Sequence, residues 1–194
     1  MSEPLDRAAE SLLEQGYQQL QAGEFDRAVE TFSACLILEP QEARAFRGRG
    51  LAHVQLKRWA DASEDFSKAR EFNPDDVDSG IELGISLAMG DQVYPALRVF
   101  ETVLARHPDS AKAHLQLGLL YLKLCVVAKG REHLAQALAC HPTMEERRLI
   151  DANLREQDKL DRQRYYRPDF EALRRQHPGG FARLKAWWHQ RVSR

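Results

Sequence analysis

Long apolar runs are missing from this 194-residue chain: no stretch of about 18 apolar residues occurs, which excludes an obvious membrane-spanning helix. Residues Met1 to Ala9 carry neither the basic nor the apolar region of an export signal, so a soluble, unexported, cytoplasmic protein is expected. Cysteine is scarce. Cys35, Cys125 and Cys140 form an odd set without CxxC spacing, which suits reduced thiols buried as small hydrophobes rather than a disulfide frame or a metal site. There is no phosphate-cradling glycine loop, no HExxH and no serine or cysteine with an evident basic partner, so no enzymatic activity, cofactor or metal is expected. Five of the seven histidines, His53, His107, His114, His133 and His141, are scattered over the first 142 residues and read as structural or surface residues. Low-complexity tracts are absent too, and 43% hydrophobic content is enough for one elongated all-helical domain.

What the chain does contain is a period. Pro40, Pro74, Pro108 and Pro142 recur every 34 residues, in phase with Gly16, Gly50, Gly84 and Gly118 and with Ala28, Ala62, Ala96 and Gly130. Phe32, Phe66, Phe100 and Leu134 form a further column, and Cys35, Ala69, Val103 and Ala137 another. Within each period the apolar residues fall at helical spacing, as in Leu12, Leu13, Gly16 and Leu20, then Ala28, Phe32, Cys35 and Leu36. Gly23 and Gly90-Asp91 sit where two helices must be joined, each proline stops the second helix, and Pro95 lies in a first turn where its missing donor is tolerated.

A 34-residue period with glycine, alanine, an aromatic, alanine and proline in this order resembles the tetratricopeptide repeat, over roughly 70% of the chain. The resemblance implies an all-α, right-handed superhelical solenoid of helix-turn-helix repeats. The boundaries are a lead-in over 1–8, repeats over 9–40, 41–74, 75–108 and 109–142, a capping helix over 143–164 and a basic aromatic tail over 165–194. Thr143 and Glu146 have capping-box spacing at the start of that helix, whose narrow apolar stripe is Leu149, Ile150, Leu154 and Leu160. A glycine within a first helix costs about 1 kcal/mol against alanine, so it is expected to serve close packing with the small column of the second helix. The family's usual tryptophan column here reads Leu12, Phe46, Gly80 and His114, which predicts looser packing in the third and fourth repeats. Gly130 is expected to make the last repeat's outer helix more labile.

The resemblance also implies a concave groove lined by first helices, and helical projection places specific side chains there. These are Leu13, Tyr17 and Leu20, then Arg44, Arg47, Leu51 and Val54. The third repeat adds Ile81, Ile85 and Met89, and the fourth Leu115, Leu119 and Leu122. Some family members hold a chaperone C-terminal carboxylate through lysine, asparagine and arginine at such positions. Here Tyr17 and Gly48 stand where asparagines would, and Leu13 where a lysine would. The groove is therefore expected to take an apolar peptide or helix of a protein partner, with Arg44, Arg47, Lys112 and Lys123 selecting acidic flanks.

Charge is unevenly spread. Residues 1–163 hold 20 basic and 27 acidic side chains, a net of −7, whereas residues 164–194 hold 8 basic and 2 acidic, a net of +6. Tyr165, Tyr166, Phe170, Phe181, Leu184, Trp187 and Trp188 in this tail are too apolar to be left in water and are expected to dock, in the groove as a competitor or against the cap. The alternative is that the basic aromatic tail binds nucleic acid or an anionic membrane, with the repeats as platform. Self-association is a third reading. His177-Pro178-Gly179-Gly180 resembles the haem-ligand motif of cytochrome-b5-like domains, but that family needs a domain of its own with a second histidine well beyond His189, and the run reads as a break between helices.

Overall fold

The computed structural model describes the backbone of residues 3–165 and the side-chain surroundings of residues 7–162. Described residues form nine α-helices and no strand: α1 (Glu3–Ala22), α2 (Phe25–Leu38), α3 (Ala43–Gln55), α4 (Trp59–Phe72), α5 (Val77–Met89), α6 (Val93–Arg106), α7 (Ala111–Lys123), α8 (Val127–Ala139) and α9 (Met144–Tyr165). Helices α1 to α8 pair as hairpins, α1 with α2 through to α7 with α8, and each hairpin packs on the next. This is an all-α helical-repeat solenoid.

Local chemistry sets the period of the backbone. Glu42, Asp76 and Ser110, 34 residues apart, cap α3, α5 and α7 by accepting hydrogen bonds from backbone N–H groups of the first turn. The first helices end alike. The N–H groups of Glu24, Arg58, Gln92 and Val126 reach back to the carbonyls of Gln19, His53, Leu87 and Tyr121 at 2.8–2.9 Å, the six-to-one bond of a Schellman turn. That turn needs a left-handed residue, and the position is filled by Gly23 (φ 77°), Lys57 (57°), Asp91 (60°) and Cys125 (60°). Only the first hairpin uses the residue that adopts this conformation without steric cost.

Between the helices lies a row of aromatic rings. Phe32, Phe66 and Phe100 are buried, and Leu134 takes the same place in the fourth hairpin. Glycine makes room for the ring itself rather than for the small column of α2, α4 or α6. A Cβ on Gly16 would stand 2.6 Å from Phe32 Cε1, and one on Gly48 of the next hairpin would strike the same ring. Phe32 is thus gripped from two hairpins, and the edge of Tyr17 packs on it at 5.2 Å between centroids. In the fourth hairpin glycine serves both, because a Cβ on Gly118 would lie 3.0 Å from Leu134 and 3.1 Å from the Gly130 carbonyl oxygen.

The expectation of looser packing in the third and fourth hairpins is overturned. Gly80 leaves no gap, since Val103 Cγ2 would lie 2.7 Å from an added Cβ, and His114 is buried with its ring hydrogen-bonded at both nitrogens. The space beside Gly130 is taken by Leu122, 2.6 Å from where a Cβ would stand. A missing tryptophan is compensated by the neighbours' volume.

Helix α9 opens with the expected capping box. Glu146 N–H donates to Thr143 Oγ1 at 3.2 Å and Thr143 N–H donates to Glu146 Oε2 at 2.8 Å. Of its apolar stripe, Ile150 is buried, while Leu149 and Leu160 are exposed. No helix among the described residues is long and apolar enough to cross a membrane.

Two substitutions test this packing. Gly84→Ala, whose Cβ would meet Phe100 Cε1 at 2.5 Å, is expected to lower the unfolding free energy by about 1–2 kcal/mol despite alanine's better helix propensity. Lys57→Gly is expected to raise it by about 0.5–1 kcal/mol by relieving the left-handed backbone. Urea midpoints measured on both variants check the pair, and a Gly84→Ala midpoint at or above wild type would show that the ring is not held by the glycine.

Candidate functional site

The face built from α1, α3, α5 and α7 carries the projected groove residues, and the fold divides them in two. Leu13, Ile81 and Leu115 do not line a groove: each is at most 3% exposed and belongs to the core. The cause is their shared column, which is turned into the packing between hairpins. Arg47, at the same column, has a chain long enough to carry its charge out to Asp78 at 3.2 Å and Asp76 at 3.7 Å. Tyr17, Leu20, Leu51, Val54, Ile85, Leu119 and Leu122 are half-buried, and Met89 is 55% exposed. These side chains keep part of their surface accessible, while Leu122 also fills the space beside Gly130 of α8.

The cations expected to face a partner's acids are already engaged. Arg44 is bonded to Glu42 at 3.1 Å and to Glu10 at 2.9 Å, and these carboxylates hold its guanidinium well above its ordinary pKa. The same contact keeps the Glu42 carboxyl below its usual range. Lys112 pairs with Glu82 at 2.9 Å, and Lys123 approaches Asp91 at 3.8 Å. Each pair runs between neighbouring hairpins or across a cap. The column Glu10, Arg44, Asp78, Lys112 alternates in sign at the 34-residue interval; Glu10 and Arg44 pair within it, whereas Asp78 is met by Arg47 and Lys112 by Glu82. Tyr17 joins this arrangement, with its hydroxyl donating to the Arg44 carbonyl at 2.9 Å and its pKa raised by burial.

Two polar clusters lie inside the junctions, and sequence reasoning did not single them out. Within the second hairpin Arg49 of α3 grips Asp65 of α4 through Nε at 3.0 Å and a second nitrogen at 2.6 Å, while also donating to Ser33 Oγ of the first hairpin at 3.1 Å. Asp65 is only 4% exposed, and burial raises its carboxyl pKa against the lowering effect of Arg49. His53 lies 3.6 Å from Asp65, and burial holds its pKa below the ordinary value. The same two columns carry Leu83 and Val99 in the next hairpin, so an Arg and an Asp in columns that are uncharged in the first and third hairpins were the available signal.

The third and fourth hairpins place His133 and Tyr121 at the equivalent positions of Asp65 and His53, around a cleft of about 510 Å³. His114 Nε2 donates to the Pro108 carbonyl at 3.0 Å, which leaves its Nδ1 bare to accept from His133 Nδ1–H at 3.2 Å. Tyr121 stacks on His133 at 5.6 Å and donates to Glu101 at 3.3 Å. Burial, then the neighbouring His114, pushes the His133 pKa down. Among the described residues no group of three or more histidine, cysteine or acidic side chains is placed to hold a metal ion. Of the tail residues, Tyr165 ends α9, while Tyr166, Phe170, Phe181, Leu184, Trp187 and Trp188 lie outside the described residues.

A solenoid of helical hairpins with a continuous first-helix face defines the class: a helical-repeat protein-interaction scaffold. The sequence profile described as tetratricopeptide repeat matches residues 13–77 and 96–145, more than half of the chain, and the protein belongs to that family. The chain is 25% identical over 121 residues to the BBSome complex member BBS4 of Bos taurus, covering 62% of this chain and 23% of that protein. It is 26% identical over 129 residues to the CTR9 homologue of Arabidopsis thaliana, covering 63% of this chain and 12% of that protein. It thus spans under a quarter of the length of these curated relatives. Among solved structures, MamA residues 41 to the end from Desulfovibrio magneticus RS-1 superposes with a TM-score of 0.66 at 24% identity, covering 77% of this chain and 86% of that one. The second such domain of human RPAP3, solved with the HSP70 peptide SGPTIEEVD, gives a TM-score of 0.58 at 20% identity, covering 60% and 97%. These structural likenesses show the fold.

The depressed histidines give the junctions a pH dependence. A histidine whose folded pKa lies below its unfolded value of about 6.5 contributes stability that is present above that pH and is lost as the pH falls through it, because the unfolded chain then binds the extra proton. Thermal melts between pH 7.5 and 5.5 are therefore expected to show falling stability. His133→Gln is expected to reduce the slope, and an unchanged slope would remove His133 as a contributor.

Proposed function

We propose that this protein is a scaffold that takes an apolar segment of a partner protein, as a helix or an extended peptide, onto its first-helix face. The observation that carries this reading is the set of half-buried Leu20, Leu51, Val54, Ile85 and Leu119 beside exposed Met89, apolar side chains of the first helices that keep part of their surface accessible. Burial of that row by a partner's side chains supplies affinity, at about 25 cal/mol per Å² of apolar area before the costs of association. The peptide complex of the RPAP3 domain supports the mode of binding in a protein of this fold.

We further propose that the C-terminal tail competes for the same face. Its net charge of +6 opposes the −7 of residues 1–163, and its aromatic residues offer the apolar side chains that a groove of this kind buries. Tethering gives such a competitor an effective concentration of about millimolar.

Serine substitution of Phe181, Trp187 and Trp188 together in the full chain is expected to strengthen binding of a fluorescent amphipathic helical peptide several-fold, read by anisotropy. Weaker binding would instead assign the aromatic tail a direct part in holding the partner. Loss of binding in Leu51→Asp, with helicity retained by circular dichroism, would locate the peptide on the first-helix face.

A further inference from the structure

We propose that the partner segment held by the first-helix face is basic: an amphipathic stretch whose apolar residues are flanked by lysine or arginine. This rests on the reading of that face as the binding site and reverses the charge preference that its cations suggest in the sequence. Each of those cations is already answered. Arg44 is shared by two carboxylates, Arg47 by two more, and Lys112 and Lys123 have one each. Four cations thus face six carboxylates.

An incoming acid would have to displace a carboxylate tethered to the same protein, at an effective concentration of about millimolar or higher, and the exchange of one ion pair for another yields little. An incoming lysine or arginine instead meets the carboxylate charge left in excess, six carboxylates against four cations. Glu10 and Asp78 are more than half exposed, and each spends its charge on a shared guanidinium, so their remaining oxygen lone pairs face solvent. A cleft of about 310 Å³ beside Arg44 and Arg47 adds Asp75 to Asp76 on the same border. Acidic groups thus gather at the N-terminal ends of α3 and α5, the same first helices that carry Leu51, Val54 and Ile85, and their attraction for a cation is long-ranged at low salt.

The test uses two labelled probes on one amphipathic helical scaffold with identical apolar residues, flanked by four lysines or by four glutamates. Anisotropy titrations are run with the full-length protein and with its Phe181, Trp187, Trp188 serine variant at low and high salt. The lysine probe is expected to bind about tenfold or more tightly at low salt, with the preference shrinking as salt rises. Glu10→Gln with Asp78→Asn is expected to cut that preference to about threefold or less, because both positions lie on the exposed edge. Equal binding of the two probes, or tighter binding of the glutamate probe, would overturn the charge inference while leaving the groove reading intact. Binding of neither probe to either form would overturn both.

Discussion

An aromatic ring pressed into glycine is the contact on which this solenoid depends. Phe32 occupies the volume that side chains at Gly16 and Gly48 would need, and Phe100 does the same against Gly84. Two glycines in adjacent hairpins close on one ring, so the spacing within a hairpin and the spacing between hairpins are fixed by the same atoms. Interiors packed to crystal-like density do not tolerate an added methyl here without moving a helix. The first-helix face follows from this: with ring and glycine interlocked behind them, the first helices have one way to present their remaining side chains.

Against this regular background the junction interiors differ. The first holds Arg49 and Asp65, the second Leu83 and Val99, and the third His114, His133 and Tyr121. The buried ion pair is not itself a strong source of stability, since desolvation offsets much of its attraction. It does define which neighbours can sit together, because a lone Asp65 at that depth would be left without compensation. The histidine junction achieves satisfaction differently, with one tautomer fixed by the Pro108 carbonyl and the other fixed in turn.

Much of the fold was legible because the period was. Proline, glycine, alanine and phenylalanine recur at positions where backbone or packing admits few residues, and Thr143 with Glu146 announced the start of α9. The face was less legible for a geometric reason. A helical projection ranks side chains by angle but cannot tell which angles the adjacent hairpin covers, so Leu13, Ile81 and Leu115 were drawn outward when they pack inward. Arg44 and Arg47 looked available because their partners, Glu10 and Asp78, are 34 and 31 residues away. Pairing at that distance is a property of the repeat rather than of either helix. The Arg49–Asp65 pair was hidden similarly, 16 residues apart across two helices.

Along the column Glu10, Arg44, Asp78 and Lys112 the sign of charge repeats every two hairpins, twice the packing unit. Cutting out one internal hairpin would bring like charges of this column to adjacent places. Cutting out the middle two would set Glu10 opposite Lys112 and restore the pattern. The chain thus carries a parity, and shortening or lengthening it by even steps preserves what odd steps break.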